Sequence, residues 1–306
     1  MKKHIFRKII KYIYSLIPLK KQLFLLIKLV YTPSQNIYQH LYFKGVFRVK
    51  MEDCEFDMYH PGTLIENQLF WKGLDGFEPN SLKIWGELCK DSDVILDIGA
   101  NTGVYSLIAK SKNAKSRVYS WEPVKRVYKI LKRNFGINNY NAMPYNSAVS
   151  NKNGDATFYD DNNPHTYSVT LNLDLSNDKS LHRVKIKTVR LDSFIKENNI
   201  QEIDLIKIDV ETHESEVIEG LGIFLQQFRP TFIIEIIDDN VAISLHEHFS
   251  PLEYNYFYIN EPFGGVEYEV EGSIYQKVES LVGCKWGNYL FSPSILWCII
   301  TPTTGD

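Results

Sequence analysis

The chain has 306 residues, of which 44% are hydrophobic and 23% charged. This composition fits one large globular domain with an appendage, or two small domains, and excludes disordered and fibrous classes. The formal net charge of −3 is unevenly distributed. Residues 1–51 hold eleven Lys and Arg and no acidic residue, whereas the other 255 residues carry a net charge of −14. This acidic body argues against general nucleic-acid binding.

The first predicted element is an amphipathic helix over residues 2–17, which Pro18 ends or kinks. Lysines interrupt the apolar runs that follow, so no segment reaches the roughly 20 apolar residues of a membrane-spanning helix, and no cleavage site indicates a signal peptide. The basic arm, residues 1–50, can lie on an anionic membrane surface, pack on the body or bind a partner. Its apolar side holds Phe6, Ile9, Ile10, Ile13, Leu16 and Ile17, and its basic side Lys3, Arg7 and Lys11.

From residue 93 onward, short apolar runs alternate with helical stretches, which is typical of βαβ units and a mainly parallel sheet. We therefore predict a Rossmann-like α/β domain over residues 93–306 and a lead-in segment, residues 51–92, that packs on it. A polar stretch from Asp160 to Leu181 is expected to form a loop over the site. The predicted strands are Val94–Ile98, Arg117–Trp121, Pro144–Val149, Thr157–Tyr159, Val184–Val189, Asp204–Ile208 and Phe232–Ile236, and the helices are Val104–Lys112, Val124–Phe135, His213–Leu221 and Asn240–Phe249.

The four cysteines are Cys54, Cys89, Cys284 and Cys298, which lie far apart without CxxC spacing. That spacing argues against a zinc site, a redox motif and a disulfide framework. We therefore expect a cytoplasmic protein, with peripheral contact between its basic arm and the inner face of a membrane as an open alternative.

The segment from Val94 to Gly103 is an apolar strand that turns through small residues into a helix. Glycines at 99 and 103 allow backbone N–H groups and the helix amino terminus to approach a ligand closely. The GxxxG spacing differs from the GxGxxG of nicotinamide enzymes, and an acidic residue before the turn suits the ammonium of a methionine. An ordinary strand-to-helix turn is the structural alternative. The candidate cofactor-binding residues here are Asp97, Gly99, Ala100, Asn101 and Gly103.

A second strand ends in Glu122, about 20 residues after the glycine turn. A carboxylate at this place can accept both ribose hydroxyls of an adenosyl group. On its own, such a glutamate is more often a capping or solvated residue. Pro123 then starts the next helix. Two acidic residues at successive strand ends beside a glycine turn favour an adenosyl-binding site, with Glu122 and Pro123 as candidate contacts.

In order along most of residues 71–300, these and further segments resemble the FkbM family of methyltransferases. The resemblance implies a class I methyltransferase fold, with an antiparallel carboxy-terminal strand, that transfers a methyl group from S-adenosylmethionine, commonly to a hydroxyl of a sugar or another small metabolite. It also implies that Ser147 and Ala148 lie near the adenine. Thr212 departs from the glycine usual in the family, which affects the local turn. The segments are the turn from Asp97 to Gly103, Trp121 to Pro123, Asn134 and Asn138, Ser147 to Ser150, Val189 to Phe194, Lys207 to Glu211, Glu214, Gly220, Glu235 and Asn288 to Phe291.

A hydroxyl acceptor needs a base, and the segment from Asp209 to Glu214 offers three carboxylates and an imidazole after the fourth strand. Asp209, Glu211 and His213 are the candidate catalytic residues, because histidine titrates near neutral pH and a carboxylate can also accept a proton. His213 can instead cap or pair locally in the first turn of a helix. Asp209 is the candidate that we favour most.

Three further questions stay open in the sequence. Asp209 and Glu235 can supply two oxygen ligands to a divalent metal, or Glu235 can bind backbone or substrate instead. The acceptor is expected to be a sugar or glycoconjugate hydroxyl, and the alternatives are a lipid precursor, a polyketide or a nitrogen centre. A protein that binds S-adenosylmethionine without turnover is the third function class.

Overall fold

The computed structural model describes residues 18–160, 169–170, 182–262 and 273–294. The helix predicted over residues 2–17 lies outside this part of the chain, as does nearly all of the polar loop predicted from Asp160 to Leu181. In chain order the helices are α1 Lys20–Val30, α2 Gln35–Tyr38, α3 Leu64–Lys72, α4 Pro79–Lys90, α5 Val104–Lys112, α6 Lys125–Ile137, α7 Leu191–Glu197, α8 Glu214–Leu221, α9 Phe224–Phe228 and α10 Asp239–Phe249. The strands are β1 Gly45–Lys50, β2 Glu55–His60, β3 Val94–Ile98, β4 Arg117–Trp121, β5 Met143–Tyr145, β6 Ala148–Val149, β7 Gly154–Asp160, β8 Val169–Thr170, β9 His182–Val189, β10 Leu205–Ile208, β11 Thr231–Ile236, β12 Asn255–Ile259, β13 Tyr275–Val278 and β14 Gly287–Ser292.

The central sheet has the strand order β5-β4-β3-β10-β11-β14-β12-β13. Strands β5, β4, β3, β10 and β11 are parallel to their neighbours, whereas β14 inserts antiparallel between β11 and β12. Every residue of β3 and β10 is buried, because helices cover both faces of this sheet. The predicted class I arrangement, a mainly parallel sheet with an antiparallel carboxy-terminal strand, is thus confirmed.

One predicted strand is wrong in its extent. The run Pro144–Val149 divides into β5, which belongs to the central sheet, and β6, which pairs with β9 in a separate four-stranded sheet. The break between them is held by Asn146, whose Nδ2 donates to the carbonyl oxygens of Glu122 and Pro123, both at 2.9 Å. The chain therefore leaves one sheet for the other beside the predicted adenosyl site.

The lead-in segment contacts the body through hydrogen bonds to helices α5 and α6. Asn134 Oδ1 of α6 accepts from the Tyr59 N–H of β2 at 2.8 Å, and Asn138 Oδ1 accepts from the Asp57 N–H at 2.7 Å. On α4, Trp85 Nε1 donates to the Tyr105 carbonyl at 2.9 Å. The β1–β2 hairpin crosses residue 50, and the division of the chain at residues 50 and 92 stays a prediction.

Helix α1 is attached to the body by one side. Phe24 is 3% exposed and its ring centre lies 5.5 Å from that of Trp71, while Lys28 Nζ donates to the Phe70 carbonyl. The other side presents a row of apolar side chains to solvent, namely Leu19, Leu23, Leu26, Leu29 and Val30, which we call the leucine face. Across the described ranges, none of the helices combines the length and apolar character that a bilayer crossing needs.

Candidate active site

A cavity of about 290 Å³ lies beyond the carboxyl ends of β3, β4, β10 and β11. Parallel α/β sheets bind ligands at this edge, where adjacent connections diverge. Nine of the residues predicted to form the site line this cavity. They are Gly99, Asn101, Glu122, Pro123, Ser147, Ala148, Asp209, Glu211 and His213.

Gly99 brings the turn after β3 into direct backbone contact with the end of β10. Its φ is 81°, and a Cβ at this position would lie 1.7 Å from the Asp209 carbonyl oxygen. Only glycine fits this place. The N–H groups of Gly99 and Ala100 both donate to the Trp121 carbonyl, at 3.1 and 2.9 Å, so these two donors are used within the fold. The role of Gly99 is instead to have no side chain, which allows the turn after β3 to contact the end of β10.

Three predicted cofactor contacts lie beneath the cavity rather than in its wall. Asp97 is 1% exposed and accepts a hydrogen bond from Ser106 Oγ of α5, and burial raises its pKa to about 6. Ala100 is buried in the turn. Gly103 has a φ of 98° and faces Leu131, where a Cβ would lie 2.6 Å from that side chain. Asp97 is therefore covered by α5 and is not among the residues that line the cavity.

Glu122 is fixed in the cavity wall by two backbone donors. Its Oε2 accepts from the Asn101 N–H at 3.1 Å and its Oε1 from the Val124 N–H at 2.7 Å. Burial raises its pKa to about 8, although both hydrogen bonds favour the charged form. Each carboxylate oxygen keeps a second acceptor site, because one lone pair is used. Glu122 is therefore oriented to accept two neighbouring hydroxyls.

The same wall also contains Asn101 and several apolar side chains. Asn101 has a φ of 51°, and its buried Oδ1 has no hydrogen-bond partner in the described part of the chain. Beside it, Pro123, Val127, Ala148 and Phe158 form an apolar surface. A buried acceptor without a partner costs free energy unless a ligand donates to it. The donors of S-adenosylmethionine, namely its hydroxyl and amino groups, fit this set of acceptors.

The loop after β10 carries two non-glycine residues with left-handed backbone. Glu211 has a φ of 53° and Thr212 a φ of 73°. Glu214 Oε1 accepts from the Val210 N–H at 3.2 Å and holds the loop from its interior side. Positive φ at a β-branched residue is a strained conformation. The departure at Thr212, where the family usually has glycine, thus lies at the position that most favours glycine.

Replacing Thr212 with glycine is expected to stabilise the protein by about 1 kcal/mol, because relief of the strain exceeds the added entropy of the unfolded chain. The measurement is the free energy of unfolding in urea. Thr157→Gly is the matched control, since Thr157 lies in β7 with ordinary strand geometry. That control should lose about 0.5–1 kcal/mol. Equal losses in both variants would show that the loop is unstrained.

A cluster of charged side chains lies where the cavity meets β10 and β11. Lys207 is 1% exposed, and its Nζ lies 3.8 Å from Asp209 Oδ2 and donates to Asn288 Oδ1 at 3.3 Å. Burial opposes its charge, yet the carboxylates of Asp209, Glu78 and Glu235 raise its pKa. One buried cation therefore faces three acidic residues of the cavity wall.

Glu235 holds a proton in this cluster. The negative charge of Asp209 and burial together raise its pKa to about 9, and its carboxyl group is hydrogen-bonded to Asp209. Glu211, on the other side of Asp209, has a pKa raised to about 7 by burial and by the same charge. At neutral pH a protonated Glu235 therefore donates to the carboxylate of Asp209.

The sequence did not point to Glu78, which also lines the cavity. Its φ of 42° and ψ of 52° are left-handed, and its Oε2 accepts from the Tyr105 hydroxyl at 2.5 Å. Burial raises its pKa. The residue lies in the lead-in segment, where no motif marks it, and its partner is 27 residues away. Lys207, by contrast, could have been noticed in the sequence, because it is a charged residue within an apolar strand.

Both ring nitrogens of His213 have partners. Nε2 lies 3.0 Å from Ser150 Oγ, and Nδ1 lies 3.4 Å from Glu216 Oε2. Burial lowers the pKa of the imidazole, so it is neutral at pH 7. The alternative in which His213 pairs locally at the start of a helix thus matches its contacts. Asp209 lines the cavity, with the Glu235 carboxyl group and the Lys207 ammonium beside its own carboxyl group.

Asp209 and Glu235 lie together, as the hypothesis that they bind a divalent metal requires. Within residues 18–160, 169–170, 182–262 and 273–294, however, no group of three His, Cys, Asp or Glu side chains has the arrangement of a metal site. The carboxyl groups of Asp209 and Glu235 are hydrogen-bonded to each other.

Comparison with known proteins places this geometry in a family. The family model of the methyltransferase FkbM domain matches residues 97–257, just over half of the chain. Hexuronic acid methyltransferase AglP of Haloferax volcanii is 26% identical over 159 residues, which cover 52% of this chain and 62% of that protein. Methyltransferase 1 of Beauveria bassiana is 24% identical over 164 residues, which cover 48% and 66%. The chain thus spans less than two thirds of the length of either relative.

A solved structure, methyltransferase FkbM from Methylobacillus flagellatus KT, aligns with a TM-score of 0.41 and 15% identity, over 66% of this chain and 43% of that one. The family match itself contains the turn at Gly99, the carboxylate of Glu122 and the loop at Asp209. The chain belongs to the FkbM methyltransferase family.

Proposed function

We propose that this protein is an S-adenosylmethionine-dependent methyltransferase that methylates a hydroxyl of a sugar or glycoconjugate. The observation that carries this proposal is the position of Glu122 and Asp209 in one cavity. The first is clamped by two backbone N–H groups as an acceptor for ribose, and the second lies where an acceptor hydroxyl can be deprotonated. Gly99 joins the two through its contact with the Asp209 carbonyl.

The donor half of the cavity would hold S-adenosylmethionine through Glu122, Asn101 and the apolar surface at Pro123 and Ala148. When bound, this cofactor supplies a methyl group whose carbon–sulfur bond breaks as the acceptor oxygen bonds to the carbon, with the electron pair left on sulfur. The residues of the chain contribute position more than chemistry, because the methyl group is already activated.

Asp209 is the residue that we assign as the base. A hydroxyl that becomes an ether must lose its proton, and a carboxylate oxygen of Asp209 takes it. Glu235, which carries a proton, donates to Asp209 and keeps a second negative charge out of the pair. The Nζ of Lys207 lies 3.8 Å from Asp209 Oδ2 and stabilises the charge of the same carboxylate.

The sugar part of the proposal is supported by the relative named for its action on hexuronic acid, which is 26% identical over 159 residues. A base beside the cavity also favours a hydroxyl over an acceptor that needs no deprotonation. Acceptors such as lipid precursors and polyketides are the competing class. A protein that binds the donor without turnover is the other competing function.

Calorimetric titration with S-adenosylmethionine and, in parallel, with NAD tests the donor site. We expect S-adenosylmethionine to bind and NAD not to bind. Glu122→Ala should weaken binding about 10- to 100-fold, because two hydrogen bonds to the ligand are lost. Glu197→Ala, at an exposed glutamate of α7, is the matched control and should bind as the wild type does. Binding of NAD instead, or equal affinities of both variants, would contradict the proposal.

We also propose that the amino-terminal end contacts an anionic membrane surface. The leucine face of α1 is exposed, and the eleven Lys and Arg of residues 1–51 are not balanced by any acidic residue. A basic helix with an apolar side binds at the interface of anionic bilayers.

Co-sedimentation with vesicles checks this proposal. We expect binding to phosphatidylcholine vesicles that contain phosphatidylglycerol and little binding to phosphatidylcholine alone. The double variant Leu26→Ser/Leu29→Ser should bind several-fold less, because it loses apolar area at the interface. Ile223→Ser is the control, since Ile223 is 62% exposed and Leu26 63%. Equal binding of these two variants would rule out the leucine face.

A further inference from the structure

A second cavity of about 230 Å³ adjoins the first. The two cavities share Phe77 and Glu78, which line both of them. The shared wall contains the carboxylate that lies in the charged cluster with Asp209 and Lys207. A ligand in the second cavity would therefore lie next to the Glu78 side of the first cavity.

The second cavity is built by the amino-terminal part of the chain. Its walls come from α2, the carboxyl half of α3, the turn Gly73–Gly76 and the segment after β12. All of the residues that line this cavity lie outside the family match, residues 97–257. Elements outside the family domain thus form a cavity next to the reacting groups.

The lining has the polarity of a carbohydrate site. Gln35, Gln68 and Lys72 line the cavity, and no hydrogen bond or ion pair among the described residues engages their side-chain amides or ammonium. Amides offer donors and acceptors together, and an ammonium offers three donors, which suits a ring with several hydroxyls. Phe77, which is only partly buried, adds a flat apolar face against which sugar C–H groups pack.

The backbone at the shared wall is held in an uncommon conformation. Glu78 precedes α4 with left-handed angles, and the amino terminus of α4 is capped from elsewhere in the chain. Glu261 accepts from the N–H groups of Asn80 and Ser81, at 3.1 and 2.7 Å. Strain at a non-glycine residue persists only where the surroundings impose it, and such strain concentrates at binding sites. These contacts fix the Glu78 carboxylate between the cavities.

We propose that the second cavity is the acceptor site and that it binds a polyhydroxylated sugar ring. The ring lies against Phe77, with its hydroxyls on Gln35, Gln68 and Lys72. Glu78 positions the reacting hydroxyl at the shared wall, facing Asp209. This inference rests on the proposed methyltransferase function, and it places the choice of acceptor in residues 35–78, outside the matched family domain.

Binding of defined sugars to the full chain tests the proposal without turnover. The probes are methyl glucoside, methyl mannoside, methyl galactoside and glucuronic acid, with decanol as the apolar competitor class, measured by saturation-transfer difference NMR. We expect at least one sugar to bind in preference to decanol. Gln68→Ala and Lys72→Ala should each weaken that sugar about 5- to 20-fold, because a hydrogen bond to the ligand is lost. Lys115→Ala, an exposed lysine remote from both cavities, is the matched control.

Two further measurements separate the outcomes. Thermal unfolding of each variant shows whether the chain is folded, and calorimetry with S-adenosylmethionine reports on the first cavity. Donor affinity should stay within about two-fold of the wild type in Gln68→Ala and Lys72→Ala. If S-adenosylmethionine does not bind but sugar binding still depends on Gln68, the proposed methyltransferase function is rejected while the sugar site in the second cavity is retained. Absence of sugar binding, or sugar affinities unchanged in both folded variants, would overturn the acceptor site.

Discussion

Replacing Gly99 with alanine is expected to abolish donor binding and to lower the free energy of unfolding by about 3 kcal/mol or more. The added Cβ would lie 1.7 Å from the Asp209 carbonyl oxygen, and the φ of 81° disfavours any side chain. Neither backbone can move away, because the Asp209 N–H donates to the Ile98 carbonyl at 3.0 Å and holds β10 against β3. The substitution therefore has to separate two central strands at the site.

Gly136→Ala is the matched control for this prediction. Gly136 lies in α6, and a Cβ there has nothing within 4 Å. Alanine at such a helical position should stabilise the protein by about 0.5–1 kcal/mol. Urea unfolding and titration with S-adenosylmethionine provide the two measurements. If both glycine variants had the same stability, or if Gly99→Ala bound the donor normally, the backbone contact would not be the constraint that the structure indicates.

Asp209→Asn is expected to lower the turnover of methyl transfer about 100- to 10,000-fold, the range of general-base catalysis. Affinity for S-adenosylmethionine should change little, since Glu122 and Asn101 remain. The substitution also removes the charge that contributes most to the raised pKa of Glu235. Glu235 should then ionise at neutral pH and account for the residual activity. The double variant Asp209→Asn/Glu235→Gln should therefore be slower than Asp209→Asn.

Two single variants control this result. Asp155→Asn changes an exposed aspartate of β7, paired with Lys187 at 2.7 Å, and should leave turnover unchanged. Glu235→Gln preserves a neutral side chain next to Asp209 and should keep most of the activity. The measurement is methyl transfer from labelled S-adenosylmethionine to the sugar that binds. Normal turnover in Asp209→Asn, or a larger loss of turnover in Glu235→Gln than in Asp209→Asn, would show that another residue is the base.

The strands and helices that the sequence predicted best are those with unbroken apolar patterns between polar residues. Val94–Ile98 and Val104–Lys112 have the same bounds in the structure, because the strand is buried along its whole length and the helix from Val104 to Lys110. The run Pro144–Val149 has the same apolar character, yet it divides between two sheets. Local pattern does not show this division, since it depends on hydrogen bonds from Asn146 to the neighbouring strand end.

The site was predictable where residues follow a strand, and less so where a side chain points from within one. Glu122 and Asp209 line the cavity, as the ends of parallel strands do. Asp97 lies one residue before the end of β3, on the same face as Ile95, and period-two alternation directs it under α5. Lys207 is paired in register with Asp97 on the neighbouring strand, so the same alternation places it on that face. The period-two alternation of β3 and β10 thus explains why the charged side chains of Asp97 and Lys207 lie on the same face of the sheet.

Glu78 could not be found in this way, because its position depends on contacts distant in the sequence. Tyr105 binds its carboxylate, and Glu261 caps the helix that follows it. None of these three residues belongs to a recognisable motif, and the lead-in segment has no glycine turn or strand end to mark it. Sites assembled from separate segments become visible only when the fold brings the segments together.

The attachment of α1 by one side also has a consequence for heat-induced association. Phe24 and Lys28 hold the helix on Phe70 and Trp71, and its remaining side is exposed. An element with few buried contacts opens at a lower free energy than the core. Opening of α1 would uncover Trp71, which is 1% exposed in the closed fold, beside the apolar side chains that α1 already presents. We therefore expect molecules to aggregate through this end of the protein at temperatures at which the central sheet is still intact.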